Sequence, residues 1–522
     1  MSSSRRAWIV TVLGCAAISL ATTMPACGST PAEEPAPAGG GDASVAAPDA
    51  AVPDAPPPDG DAAAPDVVTG DIVGLLRVPE LLGRPTAASV ALNLVASEAL
   101  DGYVEYGATP GVFDKRTSAR SLVADEPAVF ALDGLAADQA YTYRARLRRP
   151  AETGFRAGAE RRFHTQRAAG STFRFTVQAD SHLDGNSVLD QYVRTLGNVL
   201  ADAPDFHVDL GDTFMCEKFS TPLTNTVSPC PDAASVNARY VYERGNFGLV
   251  SHSVPLFLVN GNHDGELGFS PLVAGQGVPI WATLARHRYF LNPTPDAFYG
   301  GDTFVEPTVG QRASWYSWRW GDALFIALDP FWDTKAKPSA ADAWGWTLGE
   351  RQYQWLAQTL GASTAKYKFV FLHNLVGGLD GQMRGGVEAA PYYEWGGLDA
   401  DGTPGLADRR PGWPKSIHEL LVAAKVTAVF HGHDHVYVHQ ELDGVAYQEV
   451  PQPSAKNTTN GQAIALSYHY ESGTVVSSAG HVRVTVAPSQ VTVDYVRSWL
   501  PANETAGRKN GEIADSYTVS PP

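Results

Sequence analysis

The sequence predicts an α/β fold with mixed sheets, preceded by a small all-β sandwich. Three observations carry this. From Thr172 onward, short apolar runs alternate with helical stretches, the rhythm of strands and helices stacked in layers. Between about residues 70 and 167, short strands recur at regular spacing with turn signals between them. Finally, five apolar runs in the larger part end abruptly in Asp, Asn or His, and an open α/β sheet gathers ligands beyond the carboxyl ends of its strands.

The bulk properties agree. A chain of 522 residues is long enough for two to four domains. It is 44% hydrophobic and 18% charged, a globular balance, and its 50 Gly and 37 Pro imply many turns and at least one irregular tract. A net charge of -17, with no Lys/Arg run, argues against nucleic-acid binding by a basic face. A small phosphorylated substrate is not excluded, since a local metal centre attracts anions against the global field.

Residues 1–26 have the pattern of an export signal: Arg5-Arg6, an apolar stretch from Ala7 to about Ala21, then small residues before Cys27. That stretch is short for a membrane helix and is interrupted by Thr and Gly. Residues 27–69 are mostly Ala, Pro, Gly and Asp. Nothing there can bury a core, so a disordered tether is expected. Cys216 and Cys230 could pair across a short Pro-containing loop or stand as two free thiols. Met24-Pro25-Ala26-Cys27 resembles a bacterial lipoprotein cleavage box, which implies a lipidated Cys27; Val12-Leu13-Gly14-Cys15 is a second match with a very short apolar region.

Residues 70–167 supply the sandwich, through runs such as Ala88–Leu94, Tyr103–Gly107, Val129–Leu135, Tyr141–Leu147 and Arg162–Thr165. The pattern resembles a fibronectin type III-like domain, with Tyr141 or Tyr143 as its corner tyrosine. Residues 168–522 supply the α/β part. Strands are expected at Phe173–Ala179, Asp205–Leu210, Pro255–Val259, Tyr367–Leu372 and Val426–Phe430. Helices are expected at Val188–Leu200, Glu350–Leu360 and Ile417–Ala424. Trp315–Trp318 with Ala323–Leu328 reads as one hairpin, and His481–Val486 with Val491–Val496 as another.

The strand ends carry Asp180-Ser181-His182, Gly211-Asp212, Gly261-Asn262-His263-Asp264, His373 and Gly432-His433-Asp434-His435. Asp180 and His182, two apart, can chelate one ion, and His433 and His435, also two apart, face the same side of an extended backbone. A carboxylate such as Asp212 can bridge two ions, and Asn262 adds an oxygen without further charge. Imidazoles suit Zn, Fe, Ni or Cu, and carboxylate oxygen widens the choice to Mn. Two ions about 3.5–4 Å apart would clamp a phosphoryl group and activate a water for in-line attack.

Asp-x-His, Gly-Asp, Gly-Asn-His-Asp, a lone His and Gly-His-x-His, in this order across residues 172–500, resemble the signature of the calcineurin-like metallophosphoesterases. The resemblance implies a two-sheet α/β/β/α sandwich and a centre of two divalent or trivalent ions (Fe, Mn or Zn). Asp180, His182, Asp212 and His435 would hold the first ion. Asp212, Asn262, His373 and His433 would hold the second. His263 would stabilise or protonate the leaving oxygen, with Asp264 orienting its ring. Within the family the chain is similar to purple acid phosphatases, which also carry an N-terminal β-sandwich. It departs from them where His182 replaces a Gly and where Met215 replaces the Tyr that gives the purple colour, so no such chromophore is expected.

The function implied is metal-dependent hydrolysis of phosphate monoesters outside the cytoplasm. A phosphodiesterase with the same site, and a non-catalytic surface-anchored binder, are the alternatives. Membrane contact is expected only through the lipid anchor. His431 is expected to support the ligands rather than to be one. The Gly-rich insert from Gly377 to Pro411, with Arg384, Arg409 and Arg410, is either a lid over the site or a solvated loop.

Overall fold

Two sheets form the larger part of the computed structural model, which describes residues 72–521. The expected signal segment, Cys27 and the tether lie outside the described residues. The first sheet has six strands in the order Leu256–Leu258, Phe206–Asp209, Phe173–Gln178, Gly480–Val486, Val491–Arg497, Ile513–Val519. Its first three strands are parallel, and the expected hairpin continues it antiparallel. The second sheet has eight strands. Four of them, Ala323–Ala327, Tyr367–Phe371, Ala428–His431 and Val445–Glu449, are mutually parallel. Tyr316–Trp320 pairs antiparallel with Ala323–Ala327, as expected.

The inner faces of the two sheets meet in an aromatic core. Phe175 of the first sheet stands edge-on to Phe325 and Phe369 of the second, with ring centroids 5.3 Å apart in each case. Each such ring, fully buried, contributes roughly 1.5–3 kcal/mol. Helices cover the outer faces. Leu189–Ala201 and Ala233–Ser251 meet through Tyr192, Leu196, Leu249 and Val250, and Gln178 Nε2 donates to the Tyr192 hydroxyl at 2.9 Å. On the far side, Glu350–Ala362 and Ile417–Ala423 pack Leu356, Leu360 and Leu421 on Ile326, Val370 and Val429. The layers therefore run helix, sheet, sheet, helix, as the sequence implies. The helices Ala233–Ser251 and Val278–Tyr289 are not among the expected elements. Among the described residues, no helix is long and apolar enough to cross a membrane.

The N-terminal region is all β. A three-stranded antiparallel sheet (Leu76–Gly83, Val90–Ala96, Pro127–Leu132) shares one core with a second sheet built on Leu100–Gly107 and Ala140–Arg148. Of the two tyrosines singled out by sequence, Tyr141 makes the local bond: its hydroxyl accepts the Ala136 N–H at 2.9 Å. Tyr143 instead reaches out of the sandwich and donates to the His252 carbonyl at 2.6 Å. The helix Ala233–Ser251 lies against this region. A Cβ on Gly248 would fall 2.6 Å from Pro79 Cβ, so only glycine permits the close approach. Arg244, fully buried, donates to the Asn93 side chain at 2.9 Å and to the Asn93 carbonyl at 2.8 Å. Cys216 and Cys230 are free thiols, both buried, and the Cys230 N–H donates to the Cys216 carbonyl at 3.0 Å.

Candidate metal centre

Each ligand motif follows a parallel strand from one of the two sheets, so five loops converge at one edge of the sandwich. The turns are sharp. Asp180, His182, Asp212, His433 and His435 all have positive φ, between 52° and 80°. Non-glycine residues adopt this region at a cost, and it is characteristic of functional sites whose surroundings enforce it. Gly211 (φ +94°) and Gly261 allow two of the loops to touch. A Cβ on Gly211 would lie 2.1 Å from the Gly261 nitrogen, and one on Gly261 would lie 2.1 Å from the Asp212 nitrogen.

The loops bring together two sets of donors: Asp180 with His182 and His435, and Asp212 with His373 and His433, each set with its ligand atoms within 4.8 Å of one another. Asn262 joins the second set, its Oδ1 3.0 Å from His373 Nε2. Asp212 Oδ2 lies between the sets, 3.3 Å from His373 Nε2 and 3.6 Å from His182 Nε2. All seven expected ligands thus converge.

The charges are placed to receive cations. Asp180, Asp184, Asp212 and Asp264 are buried close to one another. Burial opposes the ionisation of Asp180 and Asp212, but the neighbouring histidines outweigh it and hold both carboxyls well below their usual range. Burial likewise opposes protonation of His373, yet Asp212 and Asp180 raise its imidazole to about 9. His433 is pushed the other way, by burial and then by the Arg384 guanidinium, so its ring is neutral. Asp180 Oδ1 and His182 Nε2 are buried and have no hydrogen-bond partner. Unpaired buried acceptors flanked by imidazoles are the donor set that a divalent cation satisfies. The residues present therefore fit the two ions.

Supporting contacts fix which nitrogen each histidine offers. His373 Nδ1 bonds the Leu210 carbonyl at 2.9 Å, leaving Nε2 toward the site. His433 Nε2 bonds the Gln382 carbonyl at 2.7 Å, leaving Nδ1. His182 Nδ1 lies 3.6 Å from Asp184. Such contacts orient the rings and raise their basicity. His431 stands behind the loop, 2.7 Å from Glu449, whose other oxygen accepts the Asp434 N–H at 3.0 Å. The Gly377–Pro411 insert contributes to the centre by supplying the Gln382 carbonyl. Its arginines have structural partners: Arg384 is buried and pairs with Asp434 at 2.9 Å, Arg410 pairs with Glu394 at 2.7 Å, and Arg409 faces Asp342 and Asp399.

His263 sits at the rim, part-exposed, with Nε2 4.0 Å from Asp212 Oδ2. Asp264 is placed otherwise than the sequence led us to expect. It does not orient the His263 ring: the Asp264 carboxylate accepts the N–H groups of Asp212, Gly261, Thr213 and Phe214 at 2.7–3.1 Å. Its role is to clamp the Asp212 loop to the Asn262 loop. The partner of His263 Nδ1 is Glu217. Sequence reasoning missed Glu217, whose only signal is an acidic residue five positions after Asp212. Asp184 was missed too, although its spacing of two from His182 repeats that of His182 from Asp180.

Bound ions would supply Lewis-acid polarisation of the phosphoryl oxygens and a water acidified toward neutrality. The chain's own residues hold the donors in place and present the His263 Nε2 at the open side, where a proton can pass to a leaving oxygen.

A family model for calcineurin-like phosphoesterases matches residues 173–437, about half of the 522-residue chain. Among solved structures the fold is similar to that of PhoD, with a TM-score of 0.58 at 14% identity, over 85% of this chain and 90% of that one. It is also similar to purple acid phosphatase PPD1 from yellow lupin (Lupinus luteus) seeds, with a TM-score of 0.53 at 16% identity, over 85% of this chain and 74% of that one. Among curated proteins, none matches the sequence. With the family model spanning all five ligand motifs, and those motifs meeting at one sheet edge, the chain belongs to the calcineurin-like phosphoesterase family and is a phosphoric ester hydrolase.

Proposed function

We propose that the chain hydrolyses small phosphate monoesters outside the cytoplasm, using two ions drawn from Fe, Mn and Zn. The observation that carries this reading is Asp212, one buried carboxylate between two donor sets, buried but for part of His435, with His263 at the rim. Two adjacent cations offset the charge of a monoester dianion, whereas a diester carries one charge less. The lupin relative is by name a phosphatase, which favours the monoester. The diesterase reading rests on His182, since the Asp-x-His form of the first motif also occurs in diesterases of the family.

The test compares p-nitrophenyl phosphate with bis-p-nitrophenyl phosphate on the metal-loaded protein. We expect kcat/KM to be at least about tenfold higher on the monoester, a difference of about 1.4 kcal/mol in activation free energy. A higher value on the diester would replace this reading with the second. Nothing in the acidic composition favours a nucleic acid as partner.

Export and anchoring rest on the N-terminal sequence. One acyl chain alone binds membranes weakly and two hold stably, so a diacylated Cys27 would retain the protein at a membrane. Expressed with its full N-terminus, the wild type is expected in the membrane fraction and Cys27→Ala in the soluble one. Equal membrane retention of the two would rule out Cys27 as the anchor.

A further inference from the structure

We propose that Cys216 and Cys230 are an oxidisable dithiol, whose closure to a disulfide locks the loop that braces the first donor set. The structure holds the pair in its reduced form.

The backbone has already brought the two residues together. The Cys230 N–H donates to the Cys216 carbonyl at 3.0 Å, and the Ser228 N–H to the Lys218 carbonyl at 2.9 Å. Residues bonded across a sheet in this way have Cα atoms about 5.5 Å apart, within the roughly 4.4–6.8 Å that a disulfide spans. The side chains meet as well, since the two thiols share a hydrogen bond. Their contacts to carbonyls, of Phe214 and Phe219, are long, at 3.6 and 3.9 Å.

The loop closed by this pair leans on the first ligand loop. The Leu223 N–H donates to the Leu183 carbonyl at 2.7 Å, and the Gly185 N–H to the Thr224 carbonyl at 2.9 Å. A Cβ on Gly185 would lie 2.2 Å from Asn225 Oδ1, so the two loops touch. The segment they hold directly follows His182 and contains Asp184, 3.6 Å from His182 Nδ1. At its base, Cys216 abuts the loop beyond Asp264: a Cβ on Gly265 would lie 3.3 Å from Cys216 Cβ. A covalent bond between Cys216 and Cys230 therefore fixes the neck of a loop on which the support of His182 depends.

The two thiols are unlike, and this sets the order of reaction. Burial raises the Cys216 thiol well above its usual value, whereas the hydrogen bond from Cys216 lowers that of Cys230. Cys230 also directly follows the exposed residues 225–229, so opening of that stretch admits an oxidant to it. The Cys230 thiolate attacks a small disulfide such as oxidised glutathione, giving a mixed disulfide and one glutathione thiolate, which takes up the Cys216 proton. The Cys216 thiolate then attacks the Cys230 sulfur, closes the protein disulfide and expels the second glutathione, which takes up the proton that Cys230 had released. Two electrons pass from the cysteines to glutathione. Export, as proposed above, would place the chain where such oxidants persist.

The test uses the full metal-loaded chain, either incubated with oxidised glutathione or kept reduced with a phosphine. Trypsin cuts after Arg194, Lys218 and Arg239, which puts Cys216 and Cys230 in separate peptides, 195–218 and 219–239. After alkylation of the remaining thiols, we expect the two peptides joined in the oxidised sample and separate in the reduced one. Hydrogen exchange of the Gly185 and Leu223 amides and loss of metal to a chelator should both be at least about tenfold slower in the oxidised protein. Cys230→Ala should show one rate under both conditions. Two alkylated peptides after oxidation, or glutathione retained on either, would overturn the pairing. Joined peptides with unchanged exchange and metal loss would overturn the lock. Joining by glutathione in vitro, with separate peptides in protein taken directly from cells, would support the pair and tell against export to an oxidising compartment.

Discussion

Asp212→Asn is expected to lower kcat/KM by about 10³-fold or more while leaving the fold intact. Asp212 lies between the two donor sets, with Oδ2 3.3 Å from His373 Nε2 and 3.6 Å from His182 Nε2. Its other oxygen accepts the His263 N–H, a bond that an amide oxygen can also make. Asparagine therefore preserves shape and this hydrogen bond, while it removes the charge and puts an NH2 group where Oδ2 faced both donor sets. That charge counts twice: it attracts both ions, and its loss weakens the field that acts on the phosphoryl oxygens. Metal ions contribute several kcal/mol of charge stabilisation in such centres, and each 1.36 kcal/mol is a factor of ten in rate. Elemental analysis beside steady-state kinetics checks this. A variant that keeps its full metal content and stays within tenfold of wild-type activity would show that Asp212 does not bridge.

The second large effect is on stability. Glu266 is fully buried three residues beyond His263 and sits between two buried guanidiniums. Arg286 Nε lies 2.6 Å from Oε1, Arg312 Nη2 lies 2.7 Å from Oε2, and the Thr283 hydroxyl donates to Oε2 at 2.8 Å. Removing one member of a buried ion network leaves the others unpaired in a low dielectric, which costs about 3–5 kcal/mol. Glu266→Ala should therefore lose about a third or more of the stability of an ordinary domain at pH 7, read by denaturant titration. The pH dependence is a sharper check. Burial opposes ionisation of Glu266, but Arg286 and Arg312 outweigh it and lower the carboxyl to about 2, below the ordinary value of 4.5. The folded value is thus the lower one, so the stabilisation is fully present above about pH 4.5 and is lost as pH falls toward 2. The gap between wild type and Glu266→Gln should narrow over that window. A gap that is constant from pH 6 to 3 would mean that the ion network is not what stabilises this region.

The parts of the fold that could be read from sequence are those whose signals are local. A parallel strand buried on both faces is an apolar run, and a ligand at its end is a polar residue directly after it. Phe173–Gln178 with Asp180, and Ala428–His431 with His433, each announce themselves within ten residues. The helix Ala233–Ser251 does not. It buries Arg239, Glu243 and Arg244 beside Val236, Tyr240 and Phe247, so it has no polar face opposite an apolar stripe. Glu243 is held neutral there, pushed up to about 8 chiefly by burial. Its charged residues are core residues, which composition alone assigns to solvent. Glu217 escaped for a different reason: its partner His263 is 46 residues away, and nothing in either neighbourhood names the other. Asp264 misled for the complementary reason. It adjoins His263 in sequence, yet the chain turns its carboxylate back onto four backbone amides.

The seam between the N-terminal sandwich and the helix Ala233–Ser251 bears on how the protein unfolds. The sandwich precedes the helix in the chain and has a core of its own. It presents Asn93, Pro79 and Tyr143 to the helix. Arg244 also donates to the Tyr289 carbonyl at 2.6 Å, so this side of the helix reaches its native burial only against the sandwich, while its other side packs on Phe214, Leu258 and Phe290. The two parts are thus expected to unfold together in one denaturant transition, since neither face of this seam is complete without the other.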